Sequence, residues 1–364
     1  MKKETEEEQK GKLKSFSAII GQEPAIQYLK RVLAEGKVPH AYLFSGIPGI
    51  GKTTTALAFT QALNCMHPSG GEACGHCIPC RQVAGGNFPD LEVLRPEGRV
   101  IKIERVRELI RRIGLKTVSG RYRVTVVERA EWMTNEAANA FLKTLEEPPP
   151  GNILILNVAE KRDLLPTVLS RCQKVPFRPL PVDRISGWLQ REQGMSGDTA
   201  AVVARLAEGS LGKAVRMAES GLDELRETHM ANLLSLSKRS RSEILDMAIG
   251  YAQEEKRASR AGEEKEAGLY GVLGLWKACF RDMLMLRSQG PGDSLLIHGA
   301  HAETLQNAAE PYTINALVES LLVLDRAQRD LLRARNLDLV METTLLTLRE
   351  VSRRRETFLI PDRV

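Results

Sequence analysis

With 364 residues the chain is too long for a single small core and calls for two or three domains. Its 43% hydrophobic and 27% charged residues are the proportions of a soluble globular protein, and without an apolar run of ~18 residues a helical membrane span is excluded. A net charge of +6 is compatible with a nucleic-acid partner without requiring one.

Residues 1–14 are charged throughout and lack the apolar core of a signal peptide, which predicts a solvated tail and a cytoplasmic protein. From 15 to 180, short β-rich runs alternate with helical stretches. The runs are Ala41–Ser45, Leu91–Leu94, Arg123–Val127, 153–158 and a brief 174–177, with helical patterns such as 104–113 and 135–145 between them. Such alternation predicts an α/β fold with a parallel sheet covered by helices on both faces. The first and third runs are apolar almost throughout, as strands buried on both sides should be.

The first run leads into Gly46-Ile47-Pro48-Gly49-Ile50-Gly51-Lys52-Thr53, which fits G-x-x-x-x-G-K-[ST] and opens a helical stretch over 53–63. Glycines let backbone N–H groups converge on phosphate oxygens, and the positive end of the helix adds attraction. Lys52 suits the β/γ-phosphates and Thr53 suits Mg²⁺. A glycine-rich turn with a solvent-facing lysine would not explain the strand, the loop and the helix start together. Gly46, Gly49, Gly51, Lys52, Thr53 and Thr54 are therefore candidate ATP-binding residues.

Four of the six cysteines follow within sixteen residues: Cys65, Cys74, Cys77 and Cys80. In a reducing cytosol such a cluster predicts a metal site rather than disulfides. Four thiolates complete tetrahedral zinc and leave no position open for a catalytic water, so the site reads as structural Zn²⁺. Unrelated buried cysteines or a redox motif are the alternatives, and His67 and His76 rank below the thiolates as ligands.

The run 123–127 ends in Glu128-Arg129-Ala130-Glu131. Glu128 can take the Mg²⁺-side place at a strand end, although it is one methylene longer than aspartate; the alternative is a carboxylate facing solvent. Arg129 occupies the next position, and a guanidinium stays protonated and cannot act as a base. Glu131, three residues beyond Glu128, is expected to turn away from the phosphates. These residues predict nucleotide binding with very weak hydrolysis.

Further on stand Asn139-Ala140-Phe141-Leu142-Lys143-Thr144-Leu145-Glu146-Glu147-Pro148-Pro149 and Leu169-Ser170-Arg171-Cys172. With Ile20-Gly21-Gln22-Glu23, the phosphate loop and the cysteine spacing, they resemble the clamp-loader branch of the AAA+ proteins, strongly over 15–180 and more weakly to the C-terminus. The resemblance implies a nucleotide-binding sheet domain at 15–180 with a zinc insertion at 65–80, a small helical lid at 181–221 and an all-α collar at 222–364 that joins subunits. By its residues alone Arg171 is a structural arginine paired with a carboxylate of its own domain. The resemblance implies instead an arginine finger acting in trans on the γ-phosphate held by a neighbouring subunit.

Two branches of that family fit differently. Motor subunits of gamma/tau type resemble the chain through the phosphate loop and cysteines, yet carry Asp-Glu where this chain has Glu128-Arg129. They also carry Gly-Ser-Leu-Arg where it has Gly209-Ser210-Leu211-Gly212, and their first sensor falls near Asn157-Val158-Ala159, a poor match. The departures favour a stator that lends its arginine to a motor, working with gamma/tau and delta subunits and, through the complex, with the sliding clamp and primer–template DNA. An active motor relying on Glu128 or Glu131 is the competing reading, and a zinc-containing nucleic-acid-binding ATPase outside replication is a third.

Beyond Pro176, Pro179 and Pro181 the β-runs largely stop, and the remainder reads as helices with apolar residues at helical spacing, clearest at 313–332 and 337–348. The charged segment 254–266 reads as an exposed helix or loop and 288–293 as a turn. Arg353, Arg354 and Arg355 read as a solvated basic face, with DNA contact as the minor alternative.

Overall fold

The computed structural model describes residues 15–97, 100–219, 222–260, 268–289, 296–332 and 336–353. The charged tail 1–14, residues 261–266 of the charged segment, 290–293 of the expected turn, and Arg354 and Arg355 lie outside the described residues. The chain forms two compact units. One comprises residues through Arg184 together with Gly209–Gly212, the other Ile185–Glu208 and the residues from Lys213 onward.

The first unit is built on five parallel strands, β1 (Ala41–Ser45), β2 (Leu91–Leu94), β3 (Arg123–Val127), β4 (Asn152–Val158) and β5 (Gln173–Pro176), in the order β2-β3-β4-β1-β5. Around them lie α1 (Glu23–Glu35), α2 (Lys52–Asn64), α3 (Ile78–Ala84), α4 (Ile103–Ile113), α5 (Asn135–Glu146) and the single turn α6 (Pro166–Leu169). Alternate side chains of each strand serve opposite faces, as the period of two demands. Tyr42, Phe44, Val124, Val126, Ile153 and Ile155 pack with Leu29, Ala56 and Phe59. Ala41, Leu43, Leu154, Leu156 and Val158 pack with Val106, Leu109, Phe141 and Leu145. Both faces being dry, β1, β3 and β4 are buried at every residue, which is why their sequences read as apolar runs.

Local signals set the helix ends. Thr134 caps α5, its Oγ1 accepting from Ala137 N at 3.2 Å. The run Pro148-Pro149-Pro150 stops the helix at its other end. The loop entering β3 is held by buried Asp90, which accepts from the N–H groups of Val118, Ser119 and Gly120 and pairs with Arg123 at 3.1 Å.

The register determines where a site can form. Phe44 pairs with Asn157, Ser45 with Val158, and Val127 with Leu156. The C-terminal ends of β1, β3 and β4 therefore lie side by side, and the loops after them open on one edge of the sheet, where parallel α/β sheets bind their ligands.

The second unit is helical throughout its described residues. Its core is centred on the helix Leu269–Gln289, whose Leu273, Trp276, Phe280 and Met283 pack with Leu317 and Leu324 of Ile314–Leu332 and with Leu345 and Leu348 of Leu337–Arg353. Trp276 Nε1 donates to His229 O at 2.8 Å, so the indole is buried without an unmet donor. No described helix is long and apolar enough to cross a membrane.

Candidate functional site

The loop after β1 has the backbone its glycines foretold. Gly46 sits at φ +156 with its N–H donating to Val158 O at 3.1 Å, and a Cβ there would lie 2.8 Å from Phe177 O. The close approach of Phe177, the residue after β5, thus demands glycine. Gly49 and Gly51 also have positive φ, and Gly51 caps α2, whose first three residues are Lys52, Thr53 and Thr54. Lys52 Nζ donates to Gly46 O and, at 3.0 Å, to Ile47 O, which holds the ammonium over the loop. Burial pushes the Lys52 amine down to about 8; the Glu131 carboxylate opposes this, Arg129 adds to it, and Glu128 opposes it.

Thr53 Oγ1 donates to Glu128 Oε1 at 3.1 Å and accepts from Asn157 Nδ2 at 3.1 Å, so three elements meet at one hydroxyl. Glu128 is tied to the sheet by its own N–H, which donates to Leu94 O at 2.9 Å, and its Oε2 lies 3.4 Å from Arg95 Nε. Thr54, partly buried, follows on α2. The sequence-derived candidates Gly46, Gly49, Gly51, Lys52, Thr53, Thr54 and Glu128 are thus gathered at the ends of β1 and β3.

Arg129 adopts a left-handed backbone, φ 51 and ψ 52, rare for a residue with a side chain, and its guanidinium lies 4.5 Å from the centroid of the Trp132 ring. The turn that follows returns Glu131 toward the site. Ala159 N donates to its Oε1 at 3.3 Å, and its charge acts on Lys52. This departs from the expectation that Glu131 turns away, because the left-handed Arg129 reverses the chain two positions before it. Glu131 Oε2 and Asn157 Oδ1 are both buried without a hydrogen-bond partner among the described residues. Buried acceptors of this kind call for donors, and those carried by the water shell of a bound cation would serve. The residues therefore fit a magnesium nucleotide.

Asn157 was undervalued by the sequence reading. The signal was present, since it is the one polar residue in the apolar run 153–158 and shares the parity of Ile153 and Ile155, which face α2.

The four cysteines converge as well. The Sγ atoms of Cys65, Cys74, Cys77 and Cys80 all lie within 4.8 Å of one another. Tetrahedral Zn–S bonds of ~2.3 Å place sulfurs ~3.8 Å apart, so a small contraction suffices. Cys74 N donates to Cys65 Sγ at 3.2 Å. Against the effect of burial, the backbone N–H groups of Cys77 and His76 and the neighbouring thiols bring the Cys74 thiol down to about 6, toward the thiolate a metal binds. His76 Nδ1 is engaged with Cys74 O at 2.9 Å, and among the described residues the clustered ligand atoms are the four sulfurs, without a histidine nitrogen.

Arg171 is engaged with residues outside the loop. Its Nε donates to Glu146 Oε1 at 2.7 Å and its Nη1 to Thr167 O at 2.7 Å, and the side chain is about one-third exposed at 32%. The carboxylate partner in its own domain is the arrangement its residues alone foretold.

Residues 21–181 match the model of a family described as "DNA polymerase III, delta subunit". The tau/gamma subunit of DNA polymerase III from Haemophilus influenzae is 34% identical over 214 residues, 57% of this chain and 31% of that protein. The delta' subunit from Escherichia coli strain K12 is 34% identical over 207 residues, 56% of this chain and 62% of that protein. The delta' subunit from Bacillus subtilis strain 168 is 28% identical over 330 residues, 89% of this chain and 95% of that protein. The chain spans about one-third to one-half of the length of the tau and tau/gamma relatives it matches.

Proposed function

We propose, from the premise that residues 21–181 belong to the DNA polymerase III delta-subunit family shared with delta-prime and tau/gamma clamp-loader subunits, that this chain is a delta-prime-type stator of a replicative clamp loader. In this reading it helps load the sliding clamp on primed DNA in the cytoplasm. The helices of 181–221 form its lid, those of 222–364 its collar, and gamma/tau and delta subunits are its partners. Arg171 serves a neighbouring gamma/tau site, and the four cysteines hold a structural zinc that fixes the excursion between α2 and α3.

The observation that carries the reading is the place of Arg129. Hydrolysis needs a group beside the metal-side carboxylate that can take a proton from water. Here the next position holds a guanidinium, stacked on Trp132 and permanently protonated. Nucleotide would be held by the N–H groups of Gly49, Ile50, Gly51 and Lys52, by the Lys52 ammonium and by Thr53, with Glu128 toward Mg²⁺. When bound, the metal would neutralise phosphate charge. What this chain supplies is the cradle, a fixed ammonium and a hydroxyl oriented by Glu128 and Asn157.

A second reading, an active gamma/tau-type ATPase, is favoured by Glu131, whose returned carboxylate keeps one oxygen unpartnered beside Lys52. Steady-state ATP hydrolysis by the purified chain, with Lys52→Ala as the contamination control, separates the two. The stator reading expects wild-type and variant rates to coincide; turnover that the variant loses makes the chain a motor.

A further inference from the structure

The phosphate loop is held from one side by Gly209–Gly212, a turn that runs into the first residues of a helix. Ser210 Oγ donates to Pro48 O at 2.8 Å, and Gly212 N donates to Gly49 O at 2.8 Å. A Cβ on Gly212 would stand 2.9 Å from Gly49 O and 3.0 Å from Gly49 Cα, so this approach is open to glycine alone. The turn is anchored in turn, because Leu180 N donates to Gly209 O at 2.9 Å and Gly209 (φ +85) leaves no room for a Cβ against Pro179.

A trans peptide is planar, so a carbonyl and the N–H that follows it point in opposite directions. Fixing Pro48 O and Gly49 O toward the turn therefore aims the N–H groups of Gly49 and Ile50 the other way, into the concavity that such loops offer to phosphate. Lys52 is fixed independently by the carbonyls of Gly46 and Ile47. We propose that Ser210 and Gly212 are positioning residues of the phosphate site, a strap that sets the Gly49 and Ile50 amides for the polyphosphate of a nucleotide before it arrives. The inference rests on reading residues 46–53 as a nucleotide site. Ordering the loop in advance removes that cost from binding, so the strap acts on affinity for phosphate and is indifferent to the base.

The test is competition binding on the full chain, with a fluorescent ADP analogue displaced by ADP and by inorganic triphosphate. Ser210→Ala, which deletes the hydrogen bond to Pro48 O, is expected to weaken both ligands about fivefold. Gly212→Ala, which drives the strap off Gly49, is expected to weaken both tenfold or more. Ser210→Thr, which keeps the donor, recovers most of the affinity, and thermal melting confirms that each variant is folded. A purely structural role would leave the triphosphate affinity of folded variants unchanged. That result, or a loss confined to ADP, overturns the strap while wild-type binding keeps the nucleotide reading intact. A wild-type chain that binds neither ligand overturns that reading itself, and the strap with it.

Discussion

Arg171 and Glu146 form an ion pair across the α5–α6 connection, with Nε donating to Oε1 at 2.7 Å and the two side chains 32% and 46% exposed. A pair so open to water contributes only about 0–1 kcal/mol, and another anion can take the guanidinium over at little cost. Arg171→Ala should therefore leave the melting temperature within a few degrees of wild type. If Arg171 serves a neighbour's phosphate, the one gamma/tau site it faces in a reconstituted loader should slow by about 10³-fold or more, and the ATPase of the whole loader should fall by the share of that site. Unchanged loader ATPase with the folded variant would remove the trans role, and Arg171 would revert to a local structural residue.

Zinc should be present at one ion per chain, and the purified protein should resist brief EDTA treatment because Cys77 and Cys80 are buried. Cys80→Ser should release the metal and lower the melting temperature. Atomic emission on the native chain, with thiol titration before and after a strong chelator, checks this. A folded, metal-free chain with four freely titrating thiols sinks the zinc assignment.

Nucleotide affinity should fall as pH rises past about 8. Burial lowers the Lys52 amine to about 8 in the folded chain, so the ammonium that attracts phosphate is present below that value and lost above it. A bound phosphate raises the amine's pKa, so Kd should increase up to tenfold per pH unit between the free and bound values. Lys52→Arg, whose guanidinium stays charged, should bind more weakly than wild type but without the inflection near 8. A wild-type Kd that is flat from pH 7 to 9.5 contradicts this account. The same depressed amine makes the folded chain without nucleotide slightly more stable as pH rises from 8 toward 10.5, the opposite trend to binding.

Sheet and loop were legible because their signals are local. Val124-Thr125-Val126-Val127 and Tyr42-Leu43-Phe44 show a dry sheet directly, and the strand bounds followed within one residue. The glycine spacing likewise announces the loop. What stayed hidden depends on register and on single backbone angles. Asn157 reaches Thr53 only because β4 pairs with β1 as it does, and Glu131 returns only because Arg129 takes a left-handed turn. The contact of Gly212 with Gly49 joins residues more than 160 positions apart, and no pattern along the chain encodes it.

The buried pair Asp90–Arg123 should be the most sensitive point of the first unit. Asp90 is fully buried and accepts three backbone N–H groups from 118–120, while Arg123, 9% exposed, also donates to Leu115 O and Lys116 O at 3.0 and 2.9 Å. Asp90→Ala would leave a buried guanidinium uncompensated and three donors without their acceptor, which costs about 3–5 kcal/mol. The donors, together with Arg123, hold the Asp90 carboxyl below its ordinary 3.8 despite burial. A depressed carboxyl stabilises the fold fully above 3.8, and that contribution disappears as pH falls through the folded value. Wild type and Asp90→Ala should therefore differ most at neutral pH in the midpoint of the first-unit unfolding transition, and converge below pH 3.8. A difference that persists undiminished at pH 2.5 would show that the lost packing, rather than the charge, accounts for the destabilisation.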